Sequence, residues 1–209
     1  MNATTDWEEE KRLRTNLYGL MAGLLARPPK AELLRLLDVV RTDATVDRPL
    51  AHCWRDLQDQ AAGVTAGELE GEFHSLFIGL GRGEVVPYGS YYLSGRLMDK
   101  PLARLRGDLA ALGIERRPEI RETEDHAAAL CETMALISDP QTGVSNERQQ
   151  VFYRHHLACW MPRFFTDLQA APSAFFYRTV GRVGKAFMAL ETNYFSDMRC
   201  RYEEAAQPL

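Results

Sequence analysis

The sequence predicts an all-α protein that folds as a single globular domain. Apolar residues recur at helical spacing along most of its 209 residues, as they do at Leu13, Leu17, Leu20, Met21 and Leu24, and such spacing lines one face of a helix. We find no convincing alternation of polar and apolar residues of the kind that marks a half-buried strand. With 45% hydrophobic residues, a chain of this length buries a core without disulfides or a structural metal.

Four helices are predicted before residue 79. The first ends at Pro28-Pro29, because a proline inside a helix removes a backbone hydrogen bond. The second carries the apolar residues between Leu33 and Val40, and the third opens at Pro49 and turns Trp54 inward. The apolar residues of the fourth are Leu69, Phe73, Leu76 and Phe77.

A break rich in glycine and turn-forming residues follows at residues 79–90, which read GLGRGEVVPYGS. Pro87 fixes its own backbone φ angle and pushes the preceding residue towards an extended conformation, and Gly89 permits a tight turn. The glycines lack the spacing of a phosphate-binding loop, and Ser90 lacks the G-x-S-x-G context of a hydrolase nucleophile. Neither a nucleotide site nor a serine hydrolase is therefore predicted.

Four further helices are predicted after the break. The first covers the leucines between 102 and 112 and ends at Gly113, a helix-terminating glycine. Thr123 is the expected N-cap of the second, ahead of an acidic first turn. Ser145 is expected to cap a long third helix that bends at Pro162. The last helix carries Phe176, Val180, Val183, Phe187, Leu190 and Tyr194.

Composition argues against several classes of function. The formal net charge of -4 argues against binding to nucleic acid, which favours a basic face. The four cysteines are widely spaced and form no C-x-x-C pair, which is typical of reduced cysteines in a cytosolic protein. The acidic start lacks an apolar signal segment, and no apolar run approaches membrane-spanning length. We therefore expect a cytoplasmic protein without stable membrane insertion.

Few residues have the spacing that catalysis or metal binding requires. Asp125 and His126 together suggest acid–base chemistry, but neighbours on a helix point about 100° apart. That geometry favours structural roles for both residues: Asp125 stabilises the start of a helix, and His126 lies at the edge of the core. His156 and Cys159 share one helix face, which leaves a metal-binding enzyme built on His, Cys and Asp residues as an alternative to simple packing. No metal site is predicted.

The tyrosines of the break suggest a contact surface. Tyr88, Tyr91 and Tyr92 are large, fairly rigid side chains with a hydrogen-bonding tip, a type favoured at protein–peptide interfaces. Glu84 adds a charge that would suit an arginine. From the residues alone, two readings stay open, a peptide-binding surface and a loop that only covers the core.

Four blocks of the sequence resemble the TorD/DmsD/NarJ-type redox-enzyme maturation chaperones, and most closely the TorD-like branch. In family order they are LYGLMAGLLARPP (17–29), HSLFIGLGRGEVVPYGSYYL (74–93), EDHAAALCETM (124–134) and FYRHHLACWMPRFFTDL (152–168). The resemblance implies a two-lobed chaperone domain of about eight or more helices over residues 1–209, with a hinge or signature loop at about 79–90. It also implies that the chain has no enzymatic activity and no cofactor of its own.

The resemblance further implies a partner. Such chaperones bind a molybdopterin-containing oxidoreductase, often through its N-terminal twin-arginine leader, and hold it until the cofactor is inserted, before export or membrane assembly. A monomer or a domain-swapped dimer is expected, and a helical regulatory scaffold is the remaining alternative. The expected contact residues are Phe77, Gly79, Glu84, Pro87, Tyr88, Ser90, Tyr92, Asp125 and His126.

Three expectations about this surface follow. The loop should lie over the helix start at Asp125, and His126 should make binding sensitive to pH near neutrality. Tyr88→Ala or Asp125→Ala should weaken client binding without unfolding the protein. The sequence departs from the family at Gly89, where many members carry glutamate.

Overall fold

Helices build nearly all of the described structure, a computed structural model that covers residues 3–39, 48–79 and 82–205. Helices α1 to α10 are Ala3–Ala26, Ala31–Val39, Arg48–Gly63, Ala66–Phe73, Gly89–Ser94, Lys100–Ala111, Ala127–Ser138, Asn146–His156, Met161–Ala170 and Phe176–Ala205. A π-helical turn, His74–Ile78, continues α4, and a 3-10 turn, Pro140–Thr142, follows α7. Within the described residues the only β pairing is an isolated bridge between Tyr88 and His126, so the all-α prediction is confirmed.

One hydrophobic core joins the two halves of the chain. The first helix, α1, packs along α7, and the last helix, α10, packs against both α3 and α9. The rings of Tyr18 and Phe187 meet edge to face with centroids 4.6 Å apart. Both long helices therefore connect segments before residue 79 to segments after it. No helix of the described residues combines the length and apolar character that crossing a membrane requires.

The break begins with a tight return of the backbone after α4. Gly79 has a φ of 59°, and a Cβ atom there would lie 2.2 Å from the carbonyl oxygen of Arg82, so the position requires glycine. The backbone N–H of Val85 donates to the oxygen of Leu76 at 2.9 Å, which closes the return. The loop ends earlier than predicted, because α5 already begins at Gly89. Val40, at the predicted end of α2, lies outside the described residues.

The predicted N-cap of α7 was wrong. Gly113 does follow α6 with a φ of 72°, as predicted, but α7 begins at Ala127 and is capped by His126, not by Thr123. The Nδ1 atom of His126 accepts the backbone N–H of Ala128 at 3.1 Å. The Thr123 hydroxyl donates to Oδ1 of Asp125, while the first N–H group of α7, from Ala127, is accepted by the backbone oxygen of Pro87.

The predicted long helix is broken into two, not bent. Helix α8 ends at His156 and α9 begins at Met161, with Pro162 in its first turn. Proline fits there because first-turn N–H groups need no intrahelical acceptor. The indole N–H of Trp160 donates to the carbonyl oxygen of His156 at 2.7 Å and so satisfies a backbone group at the end of α8.

Candidate functional site

The end of the 79–88 loop is hydrogen-bonded to the start of α7. The N–H groups of Gly89 and Ser90 donate to the backbone oxygen and to the Oδ2 atom of Asp125, at 2.9 and 2.8 Å. In return, the N–H of Ala127 donates to the oxygen of Pro87 at 2.8 Å. We call these five residues the loop–α7 junction. The loop therefore lies over the helix start, as the sequence led us to expect.

Asp125 holds this junction together. Its side chain is 3% exposed, and its second oxygen, Oδ1, accepts the hydroxyl of Thr123 at 2.6 Å. Because both carboxylate oxygens accept hydrogen bonds from the chain itself, we no longer expect Asp125→Ala to spare the fold. A ligand arginine would have to break these bonds before it reached the carboxylate.

His126 is a capping residue at the edge of the core. Its ring nitrogen accepts the Ala128 N–H, so the imidazole is not oriented by Asp125 as a catalytic histidine would be. Burial lowers the pKa of His126 below its ordinary value of 6.5, and the charges of Glu122 and Asp125 oppose this shift only in part. The neutral imidazole is the form that can accept the capping hydrogen bond.

Tyr88 stands beside His126 at the surface. The two rings meet edge to face with centroids 5.0 Å apart, and the phenol hydroxyl donates to the carboxylate of Glu122. Burial, followed by the hydrogen bond to Glu122, raises the pKa of Tyr88 above its ordinary value, so the group stays a donor. Sequence reasoning missed Glu122, whose one signal is its place in the acidic run RETED.

Tyr92 carries the aromatic surface towards α9. Its ring lies 5.3 Å from that of Trp160, and its hydroxyl donates to Asp167 at 2.8 Å. The hydroxyl of the neighbouring Tyr91 accepts a hydrogen bond from Arg82 at 2.7 Å. Tyr91 and Tyr92 are thus half-buried aromatic side chains whose hydroxyl tips bond to charged groups.

The structure does not bring every expected contact residue to the junction. Pro87, Ser90 and Asp125 belong to the junction, although Ser90 is fully buried, and Tyr88 and His126 pair with each other beside it. The four remaining expected residues contact other parts of the structure, Tyr92 through Trp160 and Asp167. The rings of Phe77 and Tyr177 are 5.4 Å apart, Gly79 packs on the backbone of Arg82, and the carboxylate of Glu84 accepts the N–H and hydroxyl of Ser173.

The glycine at position 89 fits against Trp160. A Cβ atom on Gly89 would lie 3.0 Å from the indole Nε1, and the indole is itself held by its hydrogen bond to His156. A glutamate at position 89 would displace this buried ring, so the departure from the family pattern matches the packing of this chain.

Two concave regions of different charge flank the junction. The first, which we call the Ser90 cavity, has a volume of about 460 Å³ and is bordered by the junction, α6 and the end of α8. Its lining carries three cationic side chains, Lys100, Arg104 and Arg154, against the two carboxylates of Asp99 and Asp125, and Asp125 is engaged by Ser90 and Thr123. These charges favour an anion over an arginine-rich peptide.

The second concave region, the Glu122 groove, has a volume of about 400 Å³. Its charged lining comprises Glu115, Glu122, Glu124, Glu132, Arg116 and Arg117, and its exposed apolar side chains are Ile120 and Leu136. Arg106 donates to Glu124 at 2.9 Å, whereas the Glu122 carboxylate accepts the hydroxyl of Tyr88. Carboxylates next to exposed apolar side chains suit a cationic and apolar peptide.

Comparison with protein families identifies the chain. Residues 43–166 match the family described as nitrate reductase delta subunit. The chain belongs to the TorD/NarJ family. The resemblance predicted from the four sequence blocks is therefore confirmed.

Individual relatives of this TorD/NarJ chain are named as chaperones. It is 30% identical to the chaperone protein TorD of a Psychrobacter species over 81% of this chain and 85% of that protein. It is 25% identical to the TorD chaperone of Vibrio cholerae, in a match that covers 83% of this chain and 84% of that protein. These names agree with the expectation of a chaperone rather than an enzyme.

A solved structure shares the fold. A protein from Archaeoglobus fulgidus, assigned as a redox enzyme maturation protein, superposes with a TM-score of 0.57 at 19% identity. The match covers 85% of this chain and 94% of that one. At this identity the similarity concerns the fold, and it supports the helical architecture described above.

Proposed function

We propose that this protein is a cytoplasmic maturation chaperone for a molybdopterin-containing oxidoreductase. It binds the client's N-terminal twin-arginine leader, its apo form, or both, and assists cofactor insertion before export or assembly. The observation that carries this proposal is the Glu122 groove, in which carboxylates and exposed apolar side chains lie beside Tyr88 of the family loop.

The groove matches the two chemical features of such a leader. An arginine pair needs carboxylates that can accept its forked N–H groups, which Glu122 and Glu132 offer as exposed side chains. The apolar stretch that follows the arginines needs apolar surface, which Ile120 and Leu136 supply at 47% and 48% exposure. Tyr88 would position Glu122 through its hydroxyl.

The Ser90 cavity is not the proposed arginine site. Its three cations outnumber its two carboxylates, and the buried Asp125 already accepts two hydrogen bonds from the chain, so a further pair of cations would be repelled there. We therefore place the arginine pair of the leader in the Glu122 groove, on the other side of the junction.

A second apolar surface suits the folded body of a client. Leu93, Leu97 and Met98, in and after α5, are 44%, 52% and 74% exposed. Apolar side chains that are this exposed and this near one another in the chain are a common feature of protein–protein contact sites. Helix α5 thus begins beside the buried Ser90 and leads to the exposed side chains of Leu93, Leu97 and Met98.

Calorimetry with synthetic leaders tests the proposal. A twin-arginine leader peptide should bind, and the same peptide with both arginines replaced by lysine should bind about tenfold or more weakly, since lysine lacks the forked donor. Glu122→Gln and Tyr88→Ala should each weaken binding of the arginine peptide. Phe175→Ala provides the matched control, because it removes an aromatic side chain that is 69% exposed at the start of α10.

Two results would contradict the proposal. One is a folded protein that binds neither a twin-arginine leader nor a full-length oxidoreductase encoded in the neighbouring operon. The other is leader binding that is unchanged in Glu122→Gln and Tyr88→Ala but lost in Phe175→Ala, which would move the site away from the groove.

A further inference from the structure

Three side chains with metal-binding chemistry converge where α6 meets the end of α8. Asp108 lies on α6, and His155 and His156 are the last two residues of α8. One carboxylate oxygen and one ring nitrogen from each histidine all lie within 4.8 Å of one another. The sequence indicated only the spacing of His156 and Cys159, because Asp108 is 47 or more residues away from the two histidines.

His156 is the fixed member of this group. Its side chain is 6% exposed, its ring packs 4.8 Å from that of Phe152, and its carbonyl oxygen accepts the indole N–H of Trp160. Its Nε2 atom lies 2.6 Å from Oδ2 of Asp108. A ligand held by packing and backbone hydrogen bonds is preorganised, which is what a metal site requires of its first ligand.

The other two members can move. The Asp108 side chain is 43% exposed and His155 is exposed, so both can rotate without disturbing the core. Ligand atoms around a tetrahedral zinc ion, each at about 2.0–2.2 Å from it, lie about 3.4 Å apart. Shifts of roughly 1 Å in exposed side chains would therefore convert the present spacing into a coordination sphere.

The donor set favours some metal ions over others. Two imidazoles and one carboxylate suit zinc, nickel or copper, whereas magnesium and calcium prefer oxygen ligands alone. Both histidines also border the Ser90 cavity, through which an ion can enter and where a water or an anion can fill the remaining position. Arg104 and Arg154 border the same cavity, and their positive charges reduce the affinity for a cation.

We propose that Asp108, His155 and His156 bind one divalent transition-metal ion, zinc being the ion that fits best. The ion would replace the Asp108–His156 hydrogen bond, with the ring proton of His156 carried on Nδ1, and would tie α6 to α8 beside the Ser90 cavity. The site has a structural role and requires no enzymatic activity. It is independent of leader binding, since the Glu122 groove shares none of these three residues.

Zinc titration of untagged, chelator-treated protein tests the site. Calorimetry with zinc chloride should show one ion bound per chain in the micromolar range, and zinc should raise the melting temperature because it binds the folded state. Magnesium chloride should do neither. His155→Ala removes an exposed ligand without disturbing the core and should weaken zinc binding about tenfold or more. Asp108→Asn should have the same direction of effect.

His74→Ala is the matched control, because His74 is an exposed histidine on the π-helical turn outside the group, and it should leave zinc binding unchanged. The proposal is overturned if zinc neither binds at micromolar concentration nor raises the melting temperature. It is equally overturned if zinc binds with unchanged affinity to both His155→Ala and Asp108→Asn, since the ion would then occupy another place.

Discussion

Two buried carboxylates, Glu191 and Asp125, join distant parts of the chain in different ways. Glu191 on α10 is matched by a full charge, because Arg14 on α1 donates to its two oxygens at 2.6 and 2.8 Å and Tyr18 adds a hydroxyl at 2.8 Å. Asp125 accepts only neutral donors, the Ser90 N–H and the Thr123 hydroxyl. Both carboxylates are at most 3% exposed.

The ion pair of Arg14 and Glu191 is fully buried, whereas the junction at Asp125 borders the surface. The guanidinium of Arg14 also lies 3.9 Å from the centre of the Tyr194 ring, so the ion pair is enclosed by aromatic side chains and serves the fold. The loop–α7 junction, in contrast, fixes a backbone from which Tyr88 reaches the surface. The hydrogen bonds of the junction are buried, but the side chain that they position, Tyr88, is partly exposed.

The largest effect is expected at the ion pair. Arg14→Ala should lower the free energy of unfolding by about 3–5 kcal/mol, because Glu191 would be left as a buried charge without its cation. Urea unfolding measures this loss. Arg14→Met combined with Glu191→Gln should recover part of it, since no buried charge remains. A smaller loss for Arg14→Ala than for a change at Asp125 would reverse the comparison.

A smaller loss is expected at the junction. Asp125→Asn should lower the free energy of unfolding by about 1.5–3 kcal/mol, because the bonds from Ser90 and Thr123 would lose their charged acceptor. Thr123→Val removes only one of those bonds and should cost less. If Asp125→Asn leaves the urea midpoint unchanged, the junction does not depend on the carboxylate charge.

Gly89→Ala should lower the free energy of unfolding by about 1 kcal/mol. Gly89→Ala places a methyl group against the indole of Trp160, which is buried and held by a hydrogen bond. Gly71→Ala on α4 is the control, since nothing lies within 4 Å of its Cβ position and alanine favours a helix. Thermal melts should move in opposite directions for the two variants, and equal shifts would contradict the packing explanation.

The smallest effect is expected from pH. Because burial places the folded-state pKa of His126 below 6.5, the unfolded chain binds the proton more readily. Its contribution to stability is therefore complete above pH 6.5 and is lost as pH falls from there through the folded-state pKa. This places the pH-dependent range of this stability contribution below neutrality.

Urea unfolding of the wild type and of His126→Asn between about pH 8 and pH 5 isolates this contribution. Asparagine can still cap α7 but does not titrate. The wild type should lose more stability on acidification than the variant does. Equal pH profiles would assign the effect to other groups, such as His156, whose pKa burial also lowers.

Local signals in the sequence were accurate where local interactions decide the structure. Pro28-Pro29 follows the end of α1, Gly113 adopts the left-handed conformation after α6, and the glycine-rich break separates α4 from α5. The predictions failed at the N-cap of α7 and at the continuous helix across Pro162. His126 caps α7 in place of Thr123. The long helix is divided after His156, whose carbonyl oxygen accepts the indole N–H of Trp160.

The sequence by itself determined the helical class, most helix ends and the family, because periodicity, prolines and caps act over three or four residues. Only the tertiary structure decided the partners of the polar side chains. Glu84 bonds to Ser173 and not to the junction, Tyr88 bonds to Glu122, and Asp108 meets His156. These pairs lie 34 to 89 residues apart, and only the tertiary packing of the helices and of the loops between them brings them together.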